Sequence, residues 1–359
     1  IDIGDKRLKY LLSLGRSEYS TTHWAHLFYP GLFDTISAFI TKMFPKEYEM
    51  ETLNIVRSIF SISTIFGISK ISKELFNKQV AKIVFILCFF NPIFFGHMAI
   101  NPKDTIIAFS NIWSTYLILK YLKSQDYDEK RNQYIILLGL CVGLGLGVRV
   151  AFLGTLLPIL LFAVVDVIFL RKITHHNFSY KKLTIDVIKV LIISYLLMVS
   201  CWPETHGNIL ILPFKIITES FSDVLGVSSG MLSGNFYLTS ETPKNYLLIN
   251  FLHKTPEFIF FCYLLFVYIF LKDKNFFNKN FNSFNTKVIF ILSILLFPNI
   301  LLFFTPYRIV DGLRVFLFLI PYTCIMPALT IYYLVKSYKN LISKIALTAI
   351  FSSFVYYLF

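Results

Sequence analysis

The sequence predicts an all-α polytopic membrane protein. Of its 359 residues, 56% are hydrophobic and 15% are charged, whereas a soluble domain carries about 25% charged residues. The apolar residues gather in separated runs instead of alternating one by one, so helices, not the strands of an outer-membrane barrel, are the spanning elements. Lys and Arg concentrate in every second connection between runs, the pattern that keeps positive loops on the cytoplasmic side.

Residues 1–53 precede the first run and hold two stretches with helical amphipathic spacing. In one, Leu8, Leu11 and Leu12 face away from Asp5, Lys6, Arg7 and Lys9; the other comprises Leu32, Phe33, Ile36, Ile40, Met43 and Phe44. Such helices lie in the membrane interface with their apolar face in lipid, or pack as caps on other helices; both arrangements put the segment against the membrane surface. A hydrocarbon core about 30 Å thick needs roughly 20 apolar residues per helix. Ten runs are placed as spans: 54–69, 83–100, 104–119, 134–148, 150–170, 185–202, 258–271, 288–304, 313–335 and 343–359. Ten spans starting outside require one more helix upstream of Ile1 if the native N-terminus is cytoplasmic, and the chain is expected to lack it. The expected organisation is a first exoplasmic loop over 1–53, with its preceding span missing, and a transmembrane domain over 54–359 that contains a long exoplasmic loop, 203–257.

Connections 70–82, 120–133, 171–182, 272–287 and 336–344 hold 19 basic and 5 acidic residues. The alternate set, 1–53, 101–104, Arg149, 203–257 and 305–314, holds 13 basic and 14 acidic residues. The overall charge of +13 is therefore a topology signal and not a nucleic-acid footprint.

Charges at membrane depth cost about 2.5–3.5 kcal/mol each on insertion scales, so those retained are functional or paired. The unusual polar residues sit at the predicted exoplasmic span ends: His97 with Asn101, Pro102, Lys103 and Asp104; Arg149; Glu204 with His206; and Arg308, Asp311 and Arg314. A cavity gathering Lys103, Arg149, Arg308 and Arg314 would suit a phosphate, whose oxygens take charge-assisted hydrogen bonds. Asp2, Asp5, Asp34, Asp104 and Glu204 near the same face could supply a general base or hold a divalent cation. The competing reading pairs Lys103 with Asp104, and Asp311 with Arg308 or Arg314, solely to lower insertion cost. Asp166, Asp186 and Lys189 lie near the cytoplasmic ends, where they snorkel or pair with the loop from Arg171 to Lys182.

Other motifs carry less chemistry. Gly139, Gly143 and Gly147 recur on one helix face and read as close helix packing, because no strand precedes them to make a nucleotide loop. Cytoplasmic His175 and His176 read as solvated loop residues. His23 and His26 stand at i, i+3 without an evident third ligand for zinc. Cys88, Cys141, Cys201, Cys262 and Cys324 all fall inside apolar runs and read as small core residues, not as a metal cluster or disulfide framework.

Several of these stretches together resemble the GT-C membrane glycosyltransferases related to protein O-mannosyltransferases and lipid A aminoarabinose transferase (glycosyltransferase family 39 and relatives). Phe94-Phe95-Gly96-His97 followed by Asn101-Pro102-Lys103-Asp104 resembles their second exoplasmic loop. Gly139 to Arg149 (GLCVGLGLGVR) resembles a glycine-rich helix ending in Arg. Trp202-Pro203 opens the long loop, whose later part Gly234, Pro243, Tyr246 and Lys254-Thr255-Pro256 resemble. Asp311-Gly312-Leu313-Arg314, with Phe316 and Phe318, is similar to a late loop motif, and Tyr29-Pro30-Gly31-Leu32-Phe33 to a piece of the first.

The resemblance implies a GT-C-like bundle in the cytoplasmic (inner) membrane. It implies sugar transfer from a polyprenyl-phosphate donor to a glycan, lipid or protein acceptor on the outer face. It assigns the base to an exoplasmic carboxylate after the first span, here Asp2 or Asp5, and donor-phosphate contacts to Lys103, Arg149, Arg308 and Arg314. Asp104 positions Lys103 or binds a metal; His97, Asn101, Glu204 and Asp311 support the site; no nucleotide pocket is needed. The sequence departs from the family at two points: the usual Asp-Glu pair after the first span is reduced to Asp2 and Asp5, and Val315 stands where relatives often carry His. The alternative is a transporter or flippase passing an anionic lipid-linked sugar, which Pro92, Pro158, Pro298 and Pro327 inside spans keep open. The gathering of charges at one face and the lack of an internal repeat favour the enzyme.

Overall fold

The computed structural model describes residues 2–19, 27–174, 178–222, 229–238, 241–304 and 312–337. In chain order the helices are α1 (Asp2–Leu12), α2 (Leu32–Thr41), α3 (Glu49–Leu75), α4 (Lys78–Phe89), α5 (Pro92–His97), α6 (Asp104–Ser124), α7 (Asp128–Val148), α8 (Phe152–Val165), α9 (Tyr180–Ser200) and α10 (Leu212–Ser222). A hairpin of β1 (Ser229–Leu232) and β2 (Asn235–Leu238) follows. The chain continues with α11 (Tyr246–Lys254), α12 (Glu257–Lys272), α13 (Lys274–Asn280), α14 (Phe284–Phe304), α15 (Ile320–Thr323) and α16 (Ile325–Ser337). Two compact units result: Ile1–Ser61 with Ala99–Leu160 and Val164–Gly226, and Ile62–Met98 with Leu161–Ala163 and Val227–Phe359.

Glycines set the helix spacing in the first unit. A Cβ on Gly139 would lie 2.8 Å from Ile193, and one on Gly143 3.0 Å from Leu197, so α7 and α9 approach at a separation only hydrogen permits there, as the sequence spacing predicts. Gly4 does the same for α1, where a Cβ would stand 2.4 Å from the Asp34 carbonyl oxygen on α2. The buried side of α2 is formed by Leu32, Phe33, Thr35, Ser37, Ala38 and Thr41, while Phe39, Met43 and Phe44 are exposed. The apolar residues of that segment are thus divided, Leu32, Phe33 and Ala38 packed inward and Phe39, Met43 and Phe44 outward.

α6 is the buried axis of this unit. Between Asp104 and Lys120 every residue is buried except Phe109, Trp113, Tyr116 and Lys120. Two of its buried polar side chains are hydrogen-bonded inside the unit: Asn111 Nδ2 donates to the Thr155 carbonyl and hydroxyl oxygens, both at 3.1 Å, and Thr115 Oγ1 donates to the Asn111 carbonyl at 2.8 Å; the buried hydroxyls of Ser110 and Ser114 have no hydrogen-bond partner among the described residues. At the far end of α6, Tyr121 OH donates to Asp186 at 2.8 Å, with Arg131 3.5 Å from the same carboxylate. After a π-turn over Asp166–Leu170, the Asp166 carboxylate accepts from the backbone amides of Lys172, Ile173 and Thr174 and from the Thr174 hydroxyl at 2.7–3.2 Å. Asp166 is therefore the anchor of the Arg171–Lys182 loop.

The second unit is aromatic. Phe277 stacks on Phe284 at 4.6 Å with the rings 7° apart, and Phe276 meets Tyr333 edge-on at 4.7 Å. Thr330 Oγ1 donates to the Cys262 carbonyl at 2.9 Å, tying α16 to α12. All five cysteines are free thiols, four buried and Cys141 half-buried, in keeping with small packing residues.

Among the described residues six helices are long and apolar enough to cross a membrane: Lys46–Leu75, Asp128–Val148, Phe152–Leu170, Tyr180–Ser200, Phe284–Phe304 and Arg314–Ser337. A seventh arises if α11 and α12, bent by 105° at Thr255-Pro256, count as one span. The expected ten fall to this number for identifiable reasons. The run 83–100 breaks where Asn91 caps a new helix, accepting from the Ile93 and Phe94 amides at 3.1 and 3.2 Å, with Pro92 in its first turn. The run 104–119 is a helix but owes much of its burial to polar residues, and 258–271 is carried by a helix of 16 residues. The run 343–359 lies outside the described residues.

Candidate functional site

The turn Asn101–Asp104 sets the start of α6. Asn101 Oδ1 accepts from the backbone amides of Lys103 (3.3 Å) and Asp104 (3.1 Å), and Asn101 Nδ2 donates back to Asp104 Oδ2 at 3.0 Å. This Asx turn is what Asn-Pro favours. It seats the Asp104 carboxylate, 3% exposed, in the first helical turn, where the helix dipole stabilises negative charge.

Arg149 follows directly on α7. Its own backbone is extended, with φ −156° and ψ 124°, which turns the side chain away from the helix path; Nη1 comes to 3.7 Å from Asp104 Oδ1. Tyr29 completes the group. Lys103 Nζ stands 3.9 Å from the centre of its ring and the Arg149 guanidinium carbon 5.7 Å from it, so two cations share one aromatic platform. Among the described residues no carboxylate lies within ion-pair distance of the Lys103 ammonium, whereas Arg149 has Asp104. Of the predicted phosphate ligands, Lys103 and Arg149 are therefore brought together, with Asn101 and Asp104 beneath them.

Beside this platform lies a buried ionic cluster. Arg7, 1% exposed, donates from Nη2 to Glu204 Oε1 at 3.0 Å and to the Tyr29 carbonyl at 2.8 Å, and from Nε to the Tyr19 hydroxyl at 3.1 Å. Tyr19 OH in turn donates to Glu204 Oε1 at 2.9 Å, and Asp34 Oδ2 is 4.0 Å from Arg7 Nη1. Burial alone would lower the pKa of Arg7, but Glu204 together with Tyr19 raises it above the ordinary arginine value. Burial pushes the Tyr19 phenol up to about 12. Trp202, fully buried, donates from Nε1 to the Leu27 carbonyl at 3.0 Å, so the Trp202–Glu204 turn is fastened to the residues preceding Tyr29. The sequence places Arg7 on the charged side of an amphipathic helix; the structure turns it inward with Gly4 and Leu8, because Glu204 compensates its charge. The available signal was Gly31, whose φ of +74° and missing side chain leave room for the Arg7 guanidinium.

Asp2 pairs with Lys6 at 3.3 Å and Asp5 with Lys42 at 3.1 Å, both on α1 and partly or largely exposed. His97 closes α5 in the second unit. Arg314 opens a 3-10 turn in the second unit; just before it, the Gly312 amide donates to the Tyr246 hydroxyl at 2.8 Å, and a Cβ on Gly312 would be 2.6 Å from Lys254 Nζ. Two sequence-distant stretches of the resemblance, Tyr246–Lys254 and Gly312–Arg314, thus meet. Arg308, Asp311, His23, His26, His175 and His176 lie outside the described residues. Among those described, no three His, Cys, Asp or Glu residues gather as a metal site.

Residues 30–199 match the family described as dolichyl-phosphate-mannose-protein mannosyltransferase. No curated protein matches the sequence. Among solved structures, ArnT from Cupriavidus metallidurans bound to undecaprenyl phosphate is similar at 13% identity and TM-score 0.60, over 92% of this chain and 55% of that one. The apo oligosaccharyltransferase of Archaeoglobus fulgidus aligns at 14% identity and TM-score 0.58, over 99% of this chain and 49% of that one. The archaeal oligosaccharyltransferase AglB from the same organism, in complex with an inhibitory peptide and a dolichol-phosphate, gives 13% identity and TM-score 0.58, over 99% and 51%. At such identities the likeness is one of fold, and the chain spans about half the length of the structures it matches. The resemblance drawn from the sequence is borne out: this chain has the fold of the GT-C glycosyltransferases, and its residues 30–199 carry the protein-mannosyltransferase family pattern.

Proposed function

We propose that this protein is a GT-C-type glycosyltransferase of the cytoplasmic membrane, which moves a sugar from a polyprenyl-phosphate donor to an acceptor hydroxyl on the exoplasmic face. The observation that carries this reading is the placement of Lys103 and Arg149 on the Tyr29 ring, above Asn101 and Asp104 at the start of α6. A lysine held by an aromatic face keeps its N–H donors for a ligand oxygen. A guanidinium tied to one carboxylate oxygen retains further donors. The charge count of the connections supports the exoplasmic assignment.

In this scheme Asp2 or Asp5 takes the proton of the acceptor hydroxyl, whose oxygen attacks the anomeric carbon. The bond from that carbon to the phosphate oxygen breaks, and the charge growing on the leaving phosphate is met by Lys103 and Arg149. Asp104 holds Arg149 in place; Asn101 fixes the turn. Glu204 supports the site by holding Arg7 beside Tyr29. The test is sugar transfer by the purified full-length protein from a polyprenyl-phosphate sugar. Lys103→Ala and Arg149→Ala are each expected to lower kcat/KM by about a hundred-fold or more, the loss typical of one preorganised charge-stabilising group. Wild-type rates in both folded variants would refute the assignment.

A further inference from the structure

Helices α7 and α9 run side by side in the same direction, Gly139 facing Ile193 and Gly143 facing Leu197. Before these contacts along both helices, a groove of about 440 Å³ lies between them, lined by Asn132, Ile135 and Ile136 of α7 and by Lys189, Ile192 and Ile193 of α9. Ile135 is buried, whereas Ile136 and Ile192 are exposed, as are Asn132 and Lys189. Both glycine contacts join residues 54 positions apart, which sets Lys189 level with Ile135. At 1.5 Å per residue that level is about 20 Å along α7 from Arg149, so the groove is separate from the Lys103 and Arg149 site. The helix Asp128–Val148 is long and apolar enough to cross a membrane, and its two ends therefore belong to opposite leaflets.

The carboxylates near this end are already engaged. Asp128 is held by Arg131 at 2.7 Å and Lys182 at 3.5 Å, and Asp186 by Tyr121 at 2.8 Å and Arg131 at 3.5 Å. Among the described residues no carboxylate lies within ion-pair distance of Lys189. Beyond the groove neither helix carries another charge up to Val148 and Ser200, and Leu140 and Leu196, four residues after Ile136 and Ile192, are exposed as well. A groove with an ammonium and an amide at one end and an uncharged apolar course beyond has the polarity of an anionic lipid. We propose that it seats one anionic phospholipid of the leaflet opposite the Asn101–Asp104 turn. The headgroup phosphate takes hydrogen bonds from Lys189 and Asn132, and an acyl chain lies along Ile136 and Ile192. The connections at the same end, 120–133 and 171–182, hold 8 basic and 3 acidic residues, a field that gathers anionic lipid at the surface; the groove gives one such lipid a fixed place. The seat is independent of any sugar-transfer reaction.

The experiment counts the phospholipids that the full-length protein retains in native mass spectrometry after reconstitution with equal parts of phosphatidylglycerol and phosphatidylcholine. Wild type is compared with Lys189→Gln, Lys181→Gln and Ile192→Trp. The wild type is expected to retain phosphatidylglycerol over phosphatidylcholine, and Lys189→Gln to cut that preference about five-fold, the worth of one lysine against an anionic lipid. Ile192→Trp fills the groove and should lower retention of both lipids. Lys181, exposed at the start of α9 and outside the groove, is the control, and Lys181→Gln should keep the wild-type preference. An unaltered preference in Lys189→Gln, or unaltered retention in Ile192→Trp, overturns the seat. So does an equal loss in Lys181→Gln and Lys189→Gln, which would leave only diffuse surface charge. Displacement of the retained lipid by undecaprenyl phosphate from wild type but not from Lys189→Gln would assign the groove to a carrier lipid and overturn the phospholipid seat as well.

Discussion

The guanidinium of Arg7 occupies the space where a side chain on Gly31 would begin: a Cβ there would stand 1.3 Å from Nη1. One glycine thus serves two demands, a left-handed backbone at the start of α2 and passage for a buried cation that reaches Glu204 and the Tyr29 carbonyl. Gly31→Ala is expected to expel Arg7 and lower stability by about 4 kcal/mol, combining left-handed strain with loss of a buried pair. Thermal unfolding of the purified protein checks this. A variant as stable as wild type would show that Arg7 has another place to go.

Removing one partner of the pair should hurt more than removing both. Arg7→Met leaves the Glu204 carboxylate buried without its counter-charge and is expected to cost about 3–5 kcal/mol. Adding Glu204→Leu should recover part of that loss, because no buried charge is then uncompensated. Comparison of the three unfolding midpoints decides it; a double variant no more stable than Arg7→Met contradicts the prediction.

Tyr19 gives the cluster a signature in alkali. Its phenol titrates at about 12 in the folded protein against an ordinary value of 10.0, so between these values the folded state holds a proton that the unfolded state releases. Stability from this source is complete below pH 10 and is lost as pH climbs towards 12. Unfolding followed across that range should show the decline in wild type and a shallower one in Tyr19→Phe. Parallel curves would mean that Tyr19 ionises as freely folded as unfolded.

Tyr29 is expected to matter through its ring and not its hydroxyl. Tyr29→Phe should bind undecaprenyl phosphate like wild type, whereas Tyr29→Leu should bind about ten-fold more weakly, having lost the surface that holds two cations in place. Equal binding by the Phe and Leu variants would remove the platform from the argument.

Gly139 tests the α7–α9 contact. Gly139→Leu must push Ile193 away, since even a Cβ would lie 2.8 Å from it, and should destabilise the protein by about 1–3 kcal/mol, the usual cost of overpacking. Gly154, with nothing within 4 Å of its would-be Cβ, is the control: Gly154→Leu should leave the melting temperature near that of wild type.

Much of this protein was legible along the chain. Apolar runs and the charge asymmetry of their connections are one-dimensional properties, so helical character, membrane residence and the neighbourhood of Asn101–Asp104 and Arg149 follow from residue order. Gly139 and Gly143 likewise announce a close helix contact by spacing alone. Burial and partnership are not properties of a local stretch. Arg7 sits among charges in sequence and becomes an interior residue only because Glu204, 197 positions later, is folded against it. Tyr29 becomes a cation platform only when the ends of α6 and α7 converge on its ring, and the run 83–100 divides because Asn91 caps a new helix where hydropathy sees continuity. Hydropathy reports what a segment would gain by leaving water; tertiary contacts decide which polar groups leave with it, because a buried charge is tolerated only where the fold delivers its partner.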